Sequence, residues 1–199
     1  MQELLHLGKT KKLSVDTFLD YRHGAGTYWM YQGDLDAAQK ILQQAPPPDE
    51  KDTEYTPFSR VWGKHILAQC LRRKDLYVEA QECLEDSLQR AREINYQRAI
   101  IFNQVELASL FIDVGQLEKA EPLLQVSLTR SQDLKDWRYF AEAMFHQARL
   151  HTVRGERDSA VTAFASAIDL FERLGMRREL AKAREELRRL DELGEAPAV

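Results

Sequence analysis

The sequence contains few of the residues that mark several classes of protein. Its 199 residues include two cysteines, Cys70 and Cys83, which make no disulfide framework and favour reduced thiols in a cytoplasmic protein. No run of about 18 apolar residues is present, so we predict no membrane-spanning segment, and the N-terminus lacks the basic-then-apolar order of a secretory signal. The formal net charge of −4 argues against a surface that neutralises many phosphates, and therefore against direct binding to nucleic acid.

Motifs that carry chemistry are also missing. The chain has no phosphate-binding loop, no GxSxG, no HExxH and no paired CxxC. The histidines show no i, i+4 spacing that would hold a metal from one helix face; they are His6, His23, His65, His146 and His151. Carboxylates are numerous but spread along the predicted helices. We therefore predict a protein without catalytic residues, metal or cofactor.

One short pattern occurs four times along the chain. The segments "GDLDAAQKIL" at 33–42, "GQLEKAEPLL" at 115–124 and "GERDSAVTAF" at 155–164 align, and a fourth copy begins at Asp75. The turn residues that begin the copies are separated by 42, 40 and 40 positions; they are Gly33, Asp75, Gly115 and Gly155. A small residue lies seven positions before each of them and an alanine five positions after, giving the pairs Gly26/Ala38, Ala68/Ala80, Ala108/Ala120 and Ala148/Ala160.

Each copy predicts a helical hairpin. Small side chains at facing positions allow two antiparallel helices to approach closely, and a glycine at the turn supplies the positive φ that ends the first helix. Asp75 adopts that conformation less readily, so we expect the second turn to be built differently. A single hairpin cannot bury its own apolar face, and neighbouring hairpins must therefore stack.

The pattern of small residue, large apolar residue, glycine turn and alanine resembles the tetratricopeptide repeat over about residues 14–174. The resemblance implies an all-α fold, a right-handed α-solenoid of antiparallel helical hairpins. Two features depart from the family: the period is 40 residues rather than about 34, and the proline that closes each repeat is missing. Repeats of this length are similar to those in the sensor regions of bacterial MalT-like signal-transduction ATPases and to those of kinesin light chains.

The pattern divides the chain into repeats and connecting segments. We expect repeats at 13–45, 57–94, 95–134 and 135–174, a proline-rich loop at 46–56, a capping helix at 175–193 and a tail at 194–199. Residues 1–12 are interpreted as an N-terminal tail or as the end of a preceding helix. Prolines 46–48 end the second helix of the first repeat early, and Thr56 and Pro57 are expected to begin the next helix as N-cap and first helical residue.

The family resemblance also implies a binding surface, because the first helix of each tetratricopeptide hairpin lines the concave side of the array. Carried over to this chain, the groove residues are Asp20, His23, Thr27, Trp62, His65, Gln69, Arg72, Phe102, Ser109, Phe145, Arg149 and Thr152, with Val105, Ile112 and Glu142 at further positions of the same face. For Phe102, Val105, Ile112 and Phe145 a place in the core is an equal alternative. Repeats that clamp chaperone tails carry Lys and Asn where this chain has His23 and Thr27, so that use is not expected.

These observations favour a non-catalytic helical-repeat scaffold that binds a protein or peptide in its concave groove. One alternative is a ligand-sensing or peptide-sensing repeat segment of a larger signalling ATPase or transcription regulator. A second alternative is a structural or self-associating module, and a homo-oligomer is compatible with either. The sequence does not identify the partner.

Overall fold

A computed structural model describes residues 15–44 and 52–195, and every regular element in these residues is an α-helix. The helices are α1 (Val15–Gln32), α2 (Leu35–Leu42), α3 (Thr56–Arg73), α4 (Tyr77–Glu93), α5 (Gln97–Asp113), α6 (Leu117–Asp133), α7 (Trp137–Arg154), α8 (Arg157–Arg173) and α9 (Arg177–Glu195). The all-α prediction is confirmed. The predicted tail at 1–12, residues 196–199 of the predicted tail at 194–199, and the prolines at 46–48 lie outside the described residues; residues 194–195 belong to α9.

The chain divides into two compact units, of which the first ends at Asn103 and the second begins at Gln104. In the first unit α1 packs against α2 and α3, and α3 packs against α2 and α4. In the second unit α7 packs against α6 and α8, and α9 packs against α8 and α7. Consecutive helices are therefore neighbours within each unit, as expected for hairpins joined by short turns.

The turns repeat one geometry. Each has a single residue with positive φ, followed by a residue whose N–H bonds the carbonyl five positions back, which is the Schellman arrangement. Within hairpins these residues are Gly33, Asp75, Gly115 and Gly155, and between hairpins they are Asn95, Lys135 and Gly175, with φ from 53° to 83°. Positive φ at the three predicted glycines is thus confirmed, and the same turn also joins α4 to α5, α6 to α7 and α8 to α9.

The second turn is built like the others, so the expectation for Asp75 was wrong. Asp75 has φ 59°, its N–H bonds the Arg72 carbonyl, and the next N–H bonds the Leu71 carbonyl at 3.0 Å. Aspartate enters the left-handed region more easily than most side chains because its short polar group bonds locally. Here its carboxylate accepts a hydrogen bond from the Tyr77 hydroxyl at 2.7 Å.

The small residues of the repeat lie where the helices meet. The alanines at 38, 68, 80, 108, 120, 148 and 160 have no exposed surface. At Gly26 a Cβ would lie 2.4 Å from Leu42 Cγ, far inside van der Waals contact, so α1 and α2 approach more closely than alanine would allow. The prediction that these positions are buried is confirmed.

The first hairpin differs from the rest in its second helix. Helix α2 has 8 residues, whereas α4, α6 and α8 each have 17, so α2 is shorter by about two turns, as predicted. The role expected for Thr56 was wrong, because the N-cap of α3 is Tyr55 and makes no side-chain cap bond. The buried Thr56 hydroxyl instead donates to Asp16 Oδ1 at 2.9 Å and accepts from the Thr53 N–H at 2.8 Å, which ties the start of α3 to α1.

The second unit has an apolar core closed by α9. Phe145, Phe164 and Phe171 form this core with alanines of α7 and α8, and α9 contributes Ala183 and Leu190. The rest of α9 carries exposed charges in i, i+3 and i, i+4 pairs, such as Arg188 with Glu185, as a solvent-facing terminal helix should. Across the described residues, none of the helices combines the length and apolar character needed to cross a bilayer.

Candidate interaction site

An aromatic cluster lies on α3 and at the start of α5. It consists of Phe58, Trp62, Tyr96 and Phe102, which we call the aromatic cluster below. Phe58 meets Tyr96 edge-on with ring centroids 5.2 Å apart, and Trp62 meets Phe102 edge-on at the same separation. Phe58 and Trp62 are 41% and 37% exposed, while Phe102 is 2% exposed. The cluster thus presents two large apolar side chains to solvent above a buried ring.

A helical face explains the position of this cluster. Residues 58, 62, 65, 69 and 72 follow one another at steps of four, three, four and three, so they share one face of α3. This is the face that the sequence predicted as a groove, but the prediction began at Trp62 and missed Phe58 one turn earlier. Tyr96 was missed as well, since it lies in the turn before α5 rather than on a first helix. The four-residue spacing from Trp62 would have been sufficient to place Phe58 on this face.

A buried polar network lies beneath the cluster. His65 Nδ1 lies 3.3 Å from Asn103 Oδ1, and His65 Nε2 lies 3.3 Å from Gln69 Nε2. Because a carbonyl oxygen only accepts and an amide nitrogen only donates, Nδ1 carries the proton and Nε2 accepts. Asn103 Nδ2 then donates to Ser87 Oγ at 2.9 Å, and Ser87 donates to the Val61 carbonyl at 2.9 Å. The network joins α3, α4 and α5 and gives both ring nitrogens of His65 a hydrogen-bond partner.

His65 is consequently a support rather than a contact surface. It is 4% exposed and its ring stacks on Trp62 with an interplanar angle of 27°. Trp62 is held between this imidazole and the edge of Phe102, so its indole is fixed in orientation before any partner arrives. The expectation that His65 lines an open groove is corrected, because the amide of Asn103 and the ring of Phe102 cover it.

The remaining predicted residues of the first unit are mixed in exposure. Asp20 is exposed, Thr27, Gln69 and Arg72 are half-buried, and His23 is 5% exposed. Burial, followed by the nearby charge of Arg22, lowers the pKa of His23 to about 4. His23 therefore belongs to the interior of the first unit and is neutral at physiological pH, which corrects its assignment to the groove.

In the second unit most of the predicted groove residues are interior. Phe145 is 5% exposed and meets Phe164 at 5.8 Å and Phe171 at 6.3 Å, so it is a core residue. Ser109 has no exposed surface, and Val105 and Ile112 are buried as well. The alternative of a place in the core therefore holds for Phe102, Val105, Ile112 and Phe145.

Arg149 is held by an internal ion pair. Its Nη2 donates to Asp113 Oδ1 at 2.7 Å and its Nη1 donates to Ser109 Oγ at 3.1 Å. Both charged side chains are less than one-fifth exposed, so the guanidinium ties α7 to the end of α5 rather than projecting toward a partner. Thr152 bonds the Ala148 carbonyl of its own helix at 3.0 Å. The groove roles predicted for Ser109, Phe145 and Arg149 are corrected accordingly.

Electrostatics single out one carboxyl group of α7. Burial raises the pKa of Glu142 to about 7, although the Arg138 guanidinium opposes the rise, and the carboxylates of Glu106 and Glu179 add to it. Arg138 Nε donates to Glu142 Oε1 at 3.2 Å. In the part of the chain that the structure describes, no group of three or more His, Cys, Asp or Glu side chains is arranged to hold a metal ion.

These features define an all-α protein built from helical hairpins. No protein-family model and no curated protein sequence matches the chain. Among solved structures, its fold is similar to that of BtubC (BKLC) from P. vanneervenii, with a TM-score of 0.51 and 14% sequence identity. The similarity covers 93% of this chain and 81% of that chain. At this identity it concerns the fold alone.

Proposed function

We propose that this chain is a non-catalytic scaffold of the tetratricopeptide kind, whose hairpins stack as a right-handed α-solenoid and whose aromatic cluster binds a protein or peptide. The repeat assignment is supported by the Schellman turns at 75, 115 and 155 and at 95, 135 and 175, which recur every 40 residues. Buried small residues at the same register support it further.

The binding proposal rests on one observation, the exposure of Phe58 and Trp62 above a buried, hydrogen-bonded polar network. Large aromatic side chains fixed in orientation lose little entropy on binding and dominate interface energetics. Each has roughly 80–90 Å² still accessible, so complete burial would contribute about 2 kcal/mol per side chain. This corresponds to about a 30-fold change in affinity for each anchor.

A site-specific photo-crosslinker placed at Phe58 identifies the partner in an extract of the source cells. The same crosslinker at Val126, which is 40% exposed on α6, serves as the control for non-specific capture. A protein captured from position 58 and not from position 126 is then purified and titrated against the chain by calorimetry.

We expect Trp62→Ala to weaken this partner about 30-fold or more while the far-UV circular dichroism spectrum stays unchanged. Trp137→Ala is the matched control, since Trp137 is 44% exposed and also meets a phenylalanine edge-on. Equal losses in both variants, or no loss in Trp62→Ala, would contradict the proposed site. If Phe58 captures a second copy of the chain and Trp62→Ala abolishes a dimer in light scattering, the scaffold is self-associating.

A further inference from the structure

A cavity of about 480 Å³ opens in the first unit beside α1 and α3. Its apolar lining includes Leu19 and Leu67, and its polar lining combines four cationic side chains with two amides: Arg22, Arg60, Lys64, Arg90, Gln43 and Gln44. Among the residues that the structure describes, no carboxylate lines the cavity. A volume of this size is in the range of small-molecule sites.

The cavity has a structural cause in the short helix α2. Helix α2 ends nine residues before the position at which α4, α6 and α8 end. In α4 the corresponding two turns carry Ser87, Leu88 and Ala91, all buried, and Ser87 bonds the carbonyl of Val61 on α3. Leu19 occupies the position of Val61 in α1, and although it is only 1% exposed it is one of the side chains that line the cavity.

Arg22 is the most unusual side chain of this lining. Its Nη1 donates to the Gln44 carbonyl at 2.7 Å and its Nη2 lies 3.3 Å from His23 Nε2. Its Nε is buried without a hydrogen-bond partner, and none of the described carboxylates pairs with the guanidinium. Burial, and then repulsion from Arg60, lowers the pKa of Arg22. A half-buried cation without a counter-charge is costly unless an anion joins it.

Gly63 makes this arrangement possible. A Cβ at Gly63 would lie 2.4 Å from His23 Nε2 and 2.9 Å from Arg22 Nη2, so only glycine leaves room for both side chains. His23 is neutral at physiological pH, as described above, and its Nε2 can accept a hydrogen bond from Arg22. The neighbours thus orient the guanidinium without neutralising it.

The other three cations are only partly neutralised. Arg60 pairs with Asp52 at 2.6 Å, and Lys64 and Arg90 share Asp86 at 3.2 and 2.8 Å. Among the described residues, four cationic side chains therefore face two carboxylates, Asp52 and Asp86, which leaves a local excess of two positive charges. Arg22 and Lys64 occupy equivalent positions of α1 and α3, and both line the cavity.

We propose that this cavity binds a small organic anion whose phosphate or carboxylate head contacts Arg22 and Lys64 and whose apolar body lies on Leu19 and Leu67. Guanidinium groups match the planar fork of a carboxylate and the oxygens of a phosphate with two parallel hydrogen bonds. The apolar lining favours an anion that carries a hydrocarbon or aromatic part over a bare inorganic ion. This site does not depend on the aromatic cluster, so either one can fail without the other.

Calorimetric titration with three probes tests the chemistry of the site. Phenyl phosphate is expected to bind, inorganic phosphate about tenfold more weakly because it leaves the apolar lining uncovered, and phenol not at all. Failure of phenyl phosphate to bind in the millimolar range would overturn the proposal. Equal affinity for phenyl phosphate and inorganic phosphate would overturn the organic character of the ligand.

Variants then locate the bound anion. Arg22→Met and Lys64→Met are each expected to weaken phenyl phosphate at least tenfold, since each removes one charge-assisted contact. Arg92→Met is the matched control, because Arg92 is exposed on the same helix as Arg90 but does not line the cavity, and it should change affinity less than twofold. Binding that survives both cavity variants, or that falls equally in Arg92→Met, would overturn the assignment.

Stability without ligand separates a binding role from a structural one. If Arg22 serves an anion, Arg22→Met should melt at or above the wild-type temperature, because it removes a half-buried charge that lacks a counter-charge. A large loss of stability in that variant would mean that Arg22 is structural.

Binding of phenyl phosphate only after Asp49→Asn and Glu50→Gln would also overturn the proposal, because the site would then serve carboxylates of the chain itself.

Discussion

Two glycines of α1 allow a matched test of helix packing. Gly24 and Gly26 are separated by one residue in the same helix, but their surroundings differ. A Cβ on Gly24 would meet nothing within 4 Å, whereas a Cβ on Gly26 would lie 2.4 Å from Leu42 Cγ and 2.5 Å from Leu42 Cδ2. Replacing each by alanine therefore adds the same methyl group to open space in one case and to a filled contact in the other.

The magnitudes follow from two opposing effects. Alanine in place of an exposed glycine within a helix raises the free energy of unfolding by about 0.8–1.0 kcal/mol, and Gly24→Ala should show this gain. Gly26→Ala receives the same propensity gain, but Leu42 must move by about 1 Å to reach ordinary contact at roughly 3.5 Å. Overpacking of this kind costs about 1–3 kcal/mol. The two variants should therefore differ by about 1–3 kcal/mol, with Gly24→Ala the more stable.

Urea unfolding followed by circular dichroism measures the difference directly, provided that the m-values of the two variants agree. In a melting experiment the same difference should appear as about 2–4 °C for each kcal/mol in a chain of this size. If Gly26→Ala proved as stable as Gly24→Ala, Leu42 would not be packed on Gly26. The close approach of α1 and α2, and with it the repeat register, would then be wrong.

Two further predictions concern packing in the second unit and the titration of a buried histidine. Ala120→Leu should lower the free energy of unfolding by roughly 1–3 kcal/mol, because Ala120 has no exposed surface. Glu118→Leu, on the exposed side of the same helix, should change it by less than about 0.5 kcal/mol. Equal shifts in melting temperature for the two variants would contradict the repeat register. His23 has a pKa of about 4 in the folded chain and about 6.5 when unfolded, so below pH 6.5 the unfolded chain takes up the proton first and stability falls until about pH 4. The full loss is roughly 3 kcal/mol, and urea unfolding at several pH values should show that His23→Phe lacks this part of the pH dependence.

The hairpin architecture could be predicted because it depends on local spacing. Positive φ at Gly33, Gly115 and Gly155, burial of the alanines and the early end of α2 all follow from residues within one repeat. The geometry of the turn at Asp75 was predicted wrongly for a local reason as well. The prediction did not consider the hydrogen bond that the Tyr77 hydroxyl donates to the Asp75 carboxylate.

The candidate site was harder to predict because burial depends on helices that are distant in sequence. The spacing that placed Phe145 on the inner face of α7 could not show that Phe164 and Phe171 would cover it. Arg149 was predicted to be a binding anchor, because local spacing does not reveal its ion pair with Asp113, which lies 36 residues earlier in the chain. The basic cavity escaped notice for the same reason, although the short α2 and the equivalent positions of Arg22 and Lys64 are visible in the sequence.

The buried pairs between successive first helices differ from one another, and this has a consequence for assembly. Positions 23, 65 and 145 are equivalent in the repeat, and so are positions 63, 103 and 183. His23 lies against Gly63, and His65 bonds Asn103, whereas Phe145 shares an apolar cluster with Ala183.

In a chain made of similar hairpins, a hairpin can pack against the wrong neighbour or exchange with the equivalent hairpin of a second chain, which is a characteristic failure of repeat proteins. The polar pair of His65 and Asn103 discriminates against such errors. A hairpin presenting alanine opposite His65 would deprive the buried Nδ1 of His65 of its bond to Asn103, at a cost of about 1–3 kcal/mol. Ser127 is equivalent to Ser87 but has Ala143 in the place of Asn103, and its buried hydroxyl has no hydrogen-bond partner. Buried polar residues therefore favour the correct order of the hairpins, whereas the apolar pattern stabilises each hairpin by itself.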